Sequence, residues 1–509
     1  MTDKTIIDRR TLVAGSAITA LAGALVRPGA AWAKDDSRAL IAAAVEKDKD
    51  ANVRRLQEWI RHPGIAAENY KMQEACDYTM GLLRDAGFQM VKKMPTDGQP
   101  GIFATLDAGA KRTLGIYMMY DVKQVNPAEW STPPFEAALV DKPGFGKVVV
   151  GRGATNQKGP EMAFLGALHA MKQAGQKLPV NLVLVAEGEE EIASPHFYQV
   201  VQAPEVLAAL KKAEGIIIPM GTQSRNGSSS IVLGAKGPLE FQLISSGEKW
   251  GRGPKGDVHS SLHAMVDSPT WHLIQALNTL IAPDGHTPAI DGWFDNVRGL
   301  TPRERELIAA AAKAQSEAEA KAAYGVKAWI NDEPWQQALE RLASQPTVNV
   351  QGLVAGYTGP GGKTVLPGIA EAKLECRLVP NQTKKEAEAK LRAHLQKRGF
   401  GDIEVRVTGG YDPTETAENS RLIRAEQAVY AGAGVPASLT PRSAGSWPGS
   451  VFTQPPVSLA AGQFGLGHGG GAHAPNEYFV IDSSNPKIAG IANSTMGFVD
   501  FLYTMATIS

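Results

Sequence analysis

The stretch from Val148 to His196 decides the fold of this chain. It begins with VVVGRGATNQKG at residues 148–159, where a short run of β-branched residues leads into a glycine-rich turn and then into a helical segment over residues 162–172. It ends with VNLVLVAEGEEEIASPH at residues 180–196, an apolar strand that runs into a group of carboxylates. Strand, helix and strand in this order, with charges at the carboxyl end of the second strand, are typical of a functional site on an open α/β sheet.

Four carboxylates stand within five residues at the end of this strand: Glu187, Glu189, Glu190 and Glu191. Carboxylates this close to an apolar strand repel one another unless a cation, a proton or solvent relieves the repulsion. A solvated acidic loop that leads to a helix N-terminus is the ordinary interpretation of such a run. The position directly after a hydrophobic strand favours a metal-binding or catalytic cluster instead.

The charge balance of the chain excludes several classes of partner. Its 509 residues include 52 lysines and arginines and 52 aspartates and glutamates, so no bulk charge attracts nucleic acid or an anionic membrane. The length is enough for about two or three domains with a large core. Composition therefore indicates a soluble globular protein and nothing more. We expect a small-molecule substrate and no nucleic acid partner.

Residues 1–33 have the pattern of an export signal. The sequence DRRTLV at residues 8–13 places paired arginines before an apolar run that extends to Val26, and AWA at residues 31–33 is a small-x-small cleavage site. This order is typical of the twin-arginine route. A membrane anchor is the weaker alternative, because the run is too short to span a bilayer comfortably. We expect a mature periplasmic protein that begins near Lys34 and has no membrane segment.

The chain contains two cysteines, Cys76 and Cys376. They fall in segments that we assign to different domains, so we expect two unpaired buried thiols. A zinc site built from several cysteine thiolates is excluded by this count.

The rest of the sequence divides into a larger domain and an insertion. Helical and strand patterns alternate up to residue 230 and resume at residue 411, which is the rhythm of a mainly parallel sheet flanked by helices. Between them the order is strand, helix, strand, strand, helix, strand with antiparallel character. We predict an α/β fold with a catalytic domain over residues 34–230 and 411–509, and an inserted α+β domain over residues 231–410.

A series of motifs occurs in order along nearly the whole mature chain. The motifs include Tyr120-Asp121-Val122, Gly151-Arg152-Gly153, Glu187-Gly188-Glu189-Glu190-Glu191, Asp257-Val258-His259-Ser260, Arg377-Leu378-Val379-Pro380-Asn381 and His473-Ala474-Pro475-Asn476-Glu477. They resemble the motifs of the family-twenty metallopeptidases, which include carnosinases, aminoacylases and glutamate carboxypeptidases, and most of all the carnosinase-type dipeptidase branch. The resemblance implies a zinc-peptidase-like α/β domain interrupted by a lid domain that usually forms a homodimer.

The resemblance also implies a catalytic centre of two zinc ions bridged by an aspartate and a water molecule. A glutamate takes the proton of that water and later returns it to the leaving amine. On this pattern Glu190 is the general base, while Glu191 and His473 are ligands of the first metal.

The other ligand positions depart from the family pattern. Met119 and Met220 stand where the second metal has a histidine and an acidic ligand, and Asn156 stands where the bridging aspartate belongs. A thioether is a poor ligand where zinc takes imidazole and carboxylate. We expect the second site to be lost and the chain to hold one zinc at most, on Glu191, His473 and a weak Asn156 oxygen, or none. Spacing leaves open whether Asn156 ligates a metal or hydrogen-bonds Glu190.

Four residues match positions with which the family holds its substrate: His259, Thr364, Arg377 and Ser446. The resemblance implies that His259 reaches the partner subunit's site and steadies the oxyanion, while the other three hold the substrate's carboxylate. Each also has an ordinary structural explanation, such as a strand-surface charge for Arg377, a helix cap for His259 or a turn for Ser446. Their occurrence together on one pattern favours a binding site.

Two functions fit these residues. The first is an exported hydrolase of the dipeptidase or amidohydrolase type that acts on a small amide- or peptide-like substrate with a free carboxylate. In it, Glu190 activates water with one metal or none, and its neighbour Glu191 raises its pKa when no metal is present. The second is a catalytically inactive relative that binds a small peptide or acyl-amino acid. The retained Glu190 favours the hydrolase, because a binding protein has no evident need for a base.

Overall fold

A computed structural model describes residues 35–509, and the export signal predicted at residues 1–33 lies outside that part. The helices are α1 (Asp35–Arg61), α2 (Met72–Asp85), α3 (Gly159–Gln173), α4 (Phe197–Gln202), α5 (Pro204–Leu210), α6 (Gly247–Trp250), α7 (Pro269–Thr279), α8 (Pro302–Ala314), α9 (Glu317–Tyr324), α10 (Trp335–Ser344), α11 (Lys384–Lys397), α12 (Arg421–Gly432), α13 (Ser450–Thr453) and α14 (Ile491–Thr507). Among these described residues, no helix is both long and apolar enough to cross a membrane.

The strands are β1 (Met90–Met94), β2 (Gly101–Leu106), β3 (Thr113–Met119), β4 (Ala138–Lys142), β5 (Gly146–Val150), β6 (Asn181–Glu187), β7 (Ala213–Pro219), β8 (Ser229–Val232), β9 (Gly234–Ala235), β10 (Gly237–Ser246), β11 (Val258–His259), β12 (Thr347–Ala355), β13 (Val365–Leu366), β14 (Ile369–Leu378), β15 (Glu404–Gly410), β16 (Thr414–Glu415), β17 (Ala437–Thr440), β18 (Ala461–Phe464), β19 (Gly469–Gly470) and β20 (Tyr478–Ser483). They form several separate sheets, of which three have four or more strands.

A six-stranded mixed sheet, in the order β1-β2-β6-β3-β7-β18, forms the centre of the larger domain. Strands β6, β3, β7 and β18 run parallel, whereas β2 pairs antiparallel with both β1 and β6. Leu182 and Leu184 of β6 pack in the core formed with α1, α3 and α14, while Val183 and Val185 pack on the opposite side with α4 and α5. Because both faces are covered, β6 is apolar without alternation. The predicted mainly parallel sheet flanked by helices is confirmed.

The strand that opens the stretch from residue 148 is not part of this sheet, contrary to the prediction from the sequence. It is β5, which belongs to a separate antiparallel sheet in the order β19-β20-β5-β4. Val148 pairs with Val480 and Val149 with Phe479, so the partner strand comes from the far end of the chain. A local pattern predicts that a strand forms, but it does not predict a partner so distant in sequence.

The insertion is built on a four-stranded antiparallel sheet in the order β12-β14-β10-β15. Buried and more exposed residues alternate along β14, and the buried ones pack against α7 and α11. The opposite face carries the polar residues of β14. The inserted α+β layer is thus present, while the domain limits given for residues 231–410 stay a prediction; the strands of this sheet span Gly237–Gly410.

Cys76 and Cys376 are both buried and free. They lie in two different hydrophobic cores, one in the larger domain and one in the insertion. Burial raises the pKa of the Cys76 thiol to about 11, which keeps it protonated and unreactive. The expectation of two unpaired buried thiols is confirmed.

A buried acid on α12 makes the stability of the fold depend on pH. Glu426 is completely buried, and neither carboxylate oxygen has a hydrogen-bond partner within residues 35–509. Burial raises the pKa of Glu426 well above its ordinary value. Above the usual glutamate pKa the unfolded chain releases a proton that the folded chain keeps, so this residue lowers the stability as the pH rises.

We predict that Glu426→Gln removes this contribution, because an amide does not titrate. Between about pH 5 and pH 8 the wild type should lose more stability than the variant, by up to about 1.4 kcal/mol for each pH unit. Denaturant titrations at several pH values measure the free energies of unfolding. Glu46→Gln on the exposed surface of α1 is the matched control. An equal pH dependence in the wild type and Glu426→Gln would contradict the prediction.

Candidate active site

The candidate active site lies at the carboxyl end of β3 and β6. These strands run parallel and end side by side, with Met119 paired with Glu187. Asp121 lies just after β3, and Glu190 and Glu191 lie in a short 3-10 helix after β6. The carboxyl ends of parallel strands open the crevice in which α/β proteins bind ligands. The sheet therefore brings the carboxylates of two separate segments together.

Asp121 fixes the turn that carries the two glutamates. It is buried, and its Oδ1 and Oδ2 accept hydrogen bonds from the backbone nitrogens of Glu190, at 3.3 Å, and Glu191, at 3.0 Å. Burial, followed by the charge of Glu191, raises the pKa of Asp121 to about 8. Asp121 stands in a motif noticed in the sequence, but only the structure shows that it positions the two acids.

Glu190 lies deep in the cleft and keeps partial access to solvent. Burial raises the pKa of Glu190 well above its ordinary value, and the charge of Glu191 adds to this effect. The expected influence of Glu191 is confirmed in direction, although burial is the larger cause. Among residues 35–509, no group donates a hydrogen bond to the Glu190 carboxylate. A raised pKa makes the ionised carboxylate a stronger base toward water.

Asn156, Glu191 and His473 meet in one cluster. Asn156 Nδ2 donates to Glu191 Oε1 at 2.8 Å and lies 3.0 Å from His473 Nε2, which is itself 3.1 Å from Glu191 Oε2. The amide nitrogen faces Glu191 because the amide oxygen would repel the carboxylate. The oxygen of Asn156 is therefore turned away from Glu191. Spacing left open whether Asn156 ligates a metal or hydrogen-bonds Glu190; the carboxylate to which it donates in the structure is Glu191, which neither alternative named.

The loop that carries Asn156 is held by Glu477, which is completely buried. Glu477 Oε1 accepts from the backbone nitrogens of Thr155 and Asn156, both at 2.9 Å. Its Oε2 accepts from the Gly153 nitrogen at 3.1 Å and from Arg152 Nη1 at 2.8 Å. One side chain at the start of β20 thus fixes the glycine-rich loop.

Lys123 also reaches this cluster, although no motif in the sequence marks it as a site residue. Its Nζ lies 3.4 Å from Glu191 Oε2 and donates to the Glu191 main-chain oxygen. Burial is the main cause of the raised pKa of Glu190, and the positive charge of Lys123 acts in the opposite direction and lowers this pKa. The sequence gives one indication that Lys123 belongs to the site. Lys123 follows the motif at the end of β3, at the edge of the sheet where the cleft opens.

Two methionines occupy the remaining positions at which the family resemblance implies metal ligands. Met119 is buried at the end of β3. Met220 follows β7, and its Sδ accepts a hydrogen bond from Gln157 Nε2. Neither offers an imidazole or a carboxylate. Within the described part of the chain, no three histidine, cysteine, aspartate or glutamate side chains are grouped so that they could hold a metal ion.

A second cluster joins the insertion to the larger domain. Arg377 Nη1 on β14 donates to Ser446 Oγ at 2.6 Å, and Arg377 also pairs with Glu375. Tyr411, just after β15, lies near Ser446. Burial, followed by the charge of Glu190, raises the pKa of Tyr411 well above its ordinary value, while the nearby Ser446 hydroxyl lowers this pKa. Arg377 and Ser446 are thus brought together, and Tyr411 lies close to both Ser446 and Glu190. Nothing in the sequence singles out Tyr411.

His259 and Thr364 lie apart from both clusters. Both are exposed, and the Ser260 nitrogen donates to the Thr364 oxygen where β11 and β13 pair. The ring of His259 hydrogen-bonds Ser261. No hydrogen bond between described residues joins His259 or Thr364 to Glu190. Within one chain, then, these two residues are not part of the cleft.

The fold and the arrangement of these motifs belong to a known class of peptidase. The family model of Peptidase family M20/M25/M40 matches residues 120–494. The chain belongs to this family, and it is a hydrolase of the peptidase type. The family and the dipeptidase-like branch suggested by the motifs are both confirmed.

Individual relatives and a solved structure agree with this family assignment. The chain is 28% identical to the Cys-Gly metallodipeptidase dug1 of Schizosaccharomyces pombe over 372 residues, covering 69% of this chain and 74% of that protein. It is 27% identical to the Beta-Ala-His dipeptidase of Homo sapiens over 373 residues, covering 69% of this chain and 70% of that protein. A solved structure, the M20 family metallo-carboxypeptidase Sso-CP2 from Sulfolobus solfataricus, matches with a TM-score of 0.79 and 32% identity, covering 89% of this chain and 99% of that chain.

We predict that Glu477→Gln destabilises the fold by about 3 kcal/mol, because it leaves the buried Arg152 without its carboxylate partner. The loop over residues 152–156 should then open more often, so its amide hydrogens should exchange faster. Denaturant unfolding and hydrogen exchange measure the two effects. Glu129→Gln, at an exposed position, is the control. A loss below about 1 kcal/mol with unchanged exchange in the loop would contradict the prediction.

Proposed function

We propose that this chain hydrolyses a small amide- or peptide-like substrate with a free carboxylate, using Glu190 as general base without a two-zinc centre. One observation carries the proposal. Glu190 keeps partial access to solvent and receives no hydrogen bond from residues 35–509, while the neighbouring Glu191 is engaged by Asn156, His473 and Lys123. The relatives named Cys-Gly and Beta-Ala-His dipeptidase suggest short substrates that end in a carboxylate.

The donor set supports the loss of zinc. A catalytic zinc takes three protein ligands and a water molecule, and Glu191 and His473 supply two. Asn156 directs its amide nitrogen, not its oxygen, toward Glu191. Met119 and Met220 offer thioethers, which suit zinc poorly in such a site. These residues do not fit a two-zinc centre, and they fall one donor short of a single catalytic zinc.

Lys123 replaces part of the positive charge that a metal would bring. Its Nζ at 3.4 Å from Glu191 Oε2 gives that carboxylate a cationic partner. An ammonium group can neutralise charge and donate hydrogen bonds, but it is not a Lewis acid, so several kcal/mol of transition-state stabilisation are absent. The site is therefore better suited to an activated bond, such as an ester, a lactam or a strained amide, than to an ordinary peptide bond.

The proposed reaction consists of proton transfers at Glu190. Its carboxylate takes a proton from water as the water oxygen attacks the carbonyl carbon, and it returns the proton to the leaving nitrogen or oxygen as the bond breaks. Arg377 Nη1 and Ser446 Oγ, 2.6 Å apart, hold the substrate's carboxylate. This arrangement fixes the orientation of the substrate with respect to Glu190.

We predict turnover that survives chelation and is lost in Glu190→Gln. Elemental analysis of the mature protein should find well below one zinc per chain, and a panel of dipeptides, acyl-amino acids and activated esters should be hydrolysed equally before and after chelation. Glu190→Gln should lower kcat by at least about 100-fold with little change in KM, because it removes the base and leaves the carboxylate-binding residues in place. Glu129→Gln is the matched control at an exposed position.

Two results would overturn this proposal. Chelator-sensitive turnover with about one zinc per chain would establish a single-metal hydrolase built on Glu191 and His473. No turnover on any member of the panel would favour the alternative function, a binding protein for a small peptide or acyl-amino acid.

We also propose that the inserted domain forms a homodimer through which His259 reaches the cleft of the second copy. Strand β12 is at the edge of its sheet. It exposes Val350, Leu353 and Val354, the last with 71% of its surface accessible. An exposed apolar edge strand readily pairs with another chain. Such pairing would account for the exposed position of His259, away from the cleft of its own chain.

We predict that Val354→Lys converts the dimer to a monomer, because a lysine on an edge strand opposes pairing. Sedimentation velocity measures the change, and turnover should fall with it if His259 acts across the interface. Val326→Lys, at another exposed valine beyond α9, is the control. A monomeric wild type, or a Val354→Lys variant that stays dimeric, would contradict the proposal.

A further inference from the structure

A cavity of about 430 Å³ lies in the insertion, bounded by the helical segment α8 to α10 and by the residues just before β12. We call it the lid cavity. Its apolar wall consists mainly of Phe294, Tyr324, Trp329, Ile330, Trp335 and Leu339. A volume of this size is in the range of small-molecule sites, which are usually apolar with a few polar groups. None of the residues around Glu190 contributes to it.

The aromatic part of the lid cavity offers a ligand ring surfaces and a hydrogen-bond donor that has no partner among residues 35–509. Trp329 and Trp335 stack with ring centroids 5.2 Å apart, and Tyr324 meets Trp329 edge-on at 6.5 Å. The Trp335 Nε1 atom is buried and has no hydrogen-bond partner in residues 35–509. A buried indole nitrogen usually finds an acceptor, so this one is suited to a ligand that supplies it.

The lining of the lid cavity also includes a buried cation. Lys236 is 3% exposed, and its Nζ donates to the Gln345 main-chain oxygen at 2.6 Å. No carboxylate in residues 35–509 lies within ion-pair distance of Lys236. The charges nearest to it are those of Arg442 and Arg377, which are also positive. A buried ammonium without an anionic partner is costly, and an anion that enters the cavity would relieve that cost.

The neighbouring cations differ from Lys236 because each has its own acid. Arg442 pairs with Glu304 and Glu415, each at 3.0 Å. Arg377 pairs with Glu375. The one carboxylate that lines the lid cavity, Glu333, is held by Arg341. Within the described residues, Lys236 is therefore the cation at this cavity that still lacks an anion.

We propose that the lid cavity binds a small carboxylate with an aromatic or extended apolar body, with its carboxylate at Lys236 and its body against the aromatic side chains that line the cavity, Trp329 and Trp335 among them. The proposal follows from the unpaired positive charge of Lys236 in the lining and from the apolar walls around it. It does not depend on how Glu190 acts. Binding can therefore be tested in Glu190→Gln as well as in the wild type.

The position of the lid cavity allows two sources for such a ligand. Thr347 lines the cavity and pairs directly with Arg377 across β12 and β14, so their side chains share one face of the sheet. The ligand is then either a substrate or product that also contacts Arg377, or a separate effector. An Arg377→Met variant distinguishes the two with 4-phenylbutyrate as the probe, because its affinity for this carboxylate falls in the first case and is unchanged in the second.

Isothermal titration calorimetry of the mature protein with 4-phenylbutyrate and its neutral amide, 4-phenylbutyramide, tests the proposal. The carboxylate should bind at least about tenfold more tightly than the amide, because a hydrogen-bonded ion pair to a buried cation forms with the carboxylate alone. Lys236→Met should abolish this preference while it leaves binding of the amide. Trp335→Leu should weaken both probes, whereas Trp271→Leu, at an exposed position on α7, should weaken neither.

Three results would overturn the proposal. They are equal affinity of the wild type for the two probes, a preference for the carboxylate that persists in Lys236→Met, and absence of binding by either probe. Circular dichroism confirms that each variant is folded. If Lys236→Met does not fold, Trp335→Leu decides the question, since unchanged affinity for both probes in that variant places the ligand elsewhere.

Discussion

The site depends on one constraint. The buried carboxylates at the carboxyl edge of the central sheet need hydrogen-bond donors or positive charge beside them. Asp121 and Glu187 are both buried there, at the ends of β3 and β6. Asp121 accepts two main-chain N–H groups, while Glu187 Oε1 accepts the hydroxyls of Tyr117, at 2.8 Å, and Ser194, at 2.9 Å. Neutral donors thus engage both oxygens of Asp121 and one oxygen of Glu187, while Glu187 Oε2 has no hydrogen-bond partner among residues 35–509. The two bonds to Asp121 hold the turn after β6.

The two glutamates in that turn, Glu190 and Glu191, have different hydrogen-bond and ion-pair partners. Glu191 receives the Asn156 amide and lies within ion-pair distance of Lys123 and His473. Glu190 has no hydrogen-bond donor within residues 35–509 and keeps partial access to solvent. The chain thus separates an acid that is held by neighbouring side chains from an acid whose carboxylate can contact water. Glu477 maintains this separation because it fixes the loop that carries Asn156.

In the insertion, too, buried charged groups need partners, but one of them lacks an acid. One face of its sheet packs against α7 and α11, which leaves the other face for polar side chains such as Arg377. Arg377 and Arg442 have acids within the described chain, and Lys236 has none. Two different environments arise on one face of this sheet: a polar one where Arg377 meets Ser446, and the largely apolar lid cavity, whose lining includes Lys236.

The sequence by itself determined which segments form strands and what stands at their ends. The apolar run before Glu187 and the alternation along β14 are local patterns, and the methionines at positions 119 and 220 are visible in a single chain. Only the tertiary structure decided that β5 pairs with β20, that the Asn156 amide faces Glu191, and that Lys123 reaches the same carboxylate. Periodicity reports on neighbours within one element, whereas strand partners and charge compensation depend on contacts between residues that are distant in sequence.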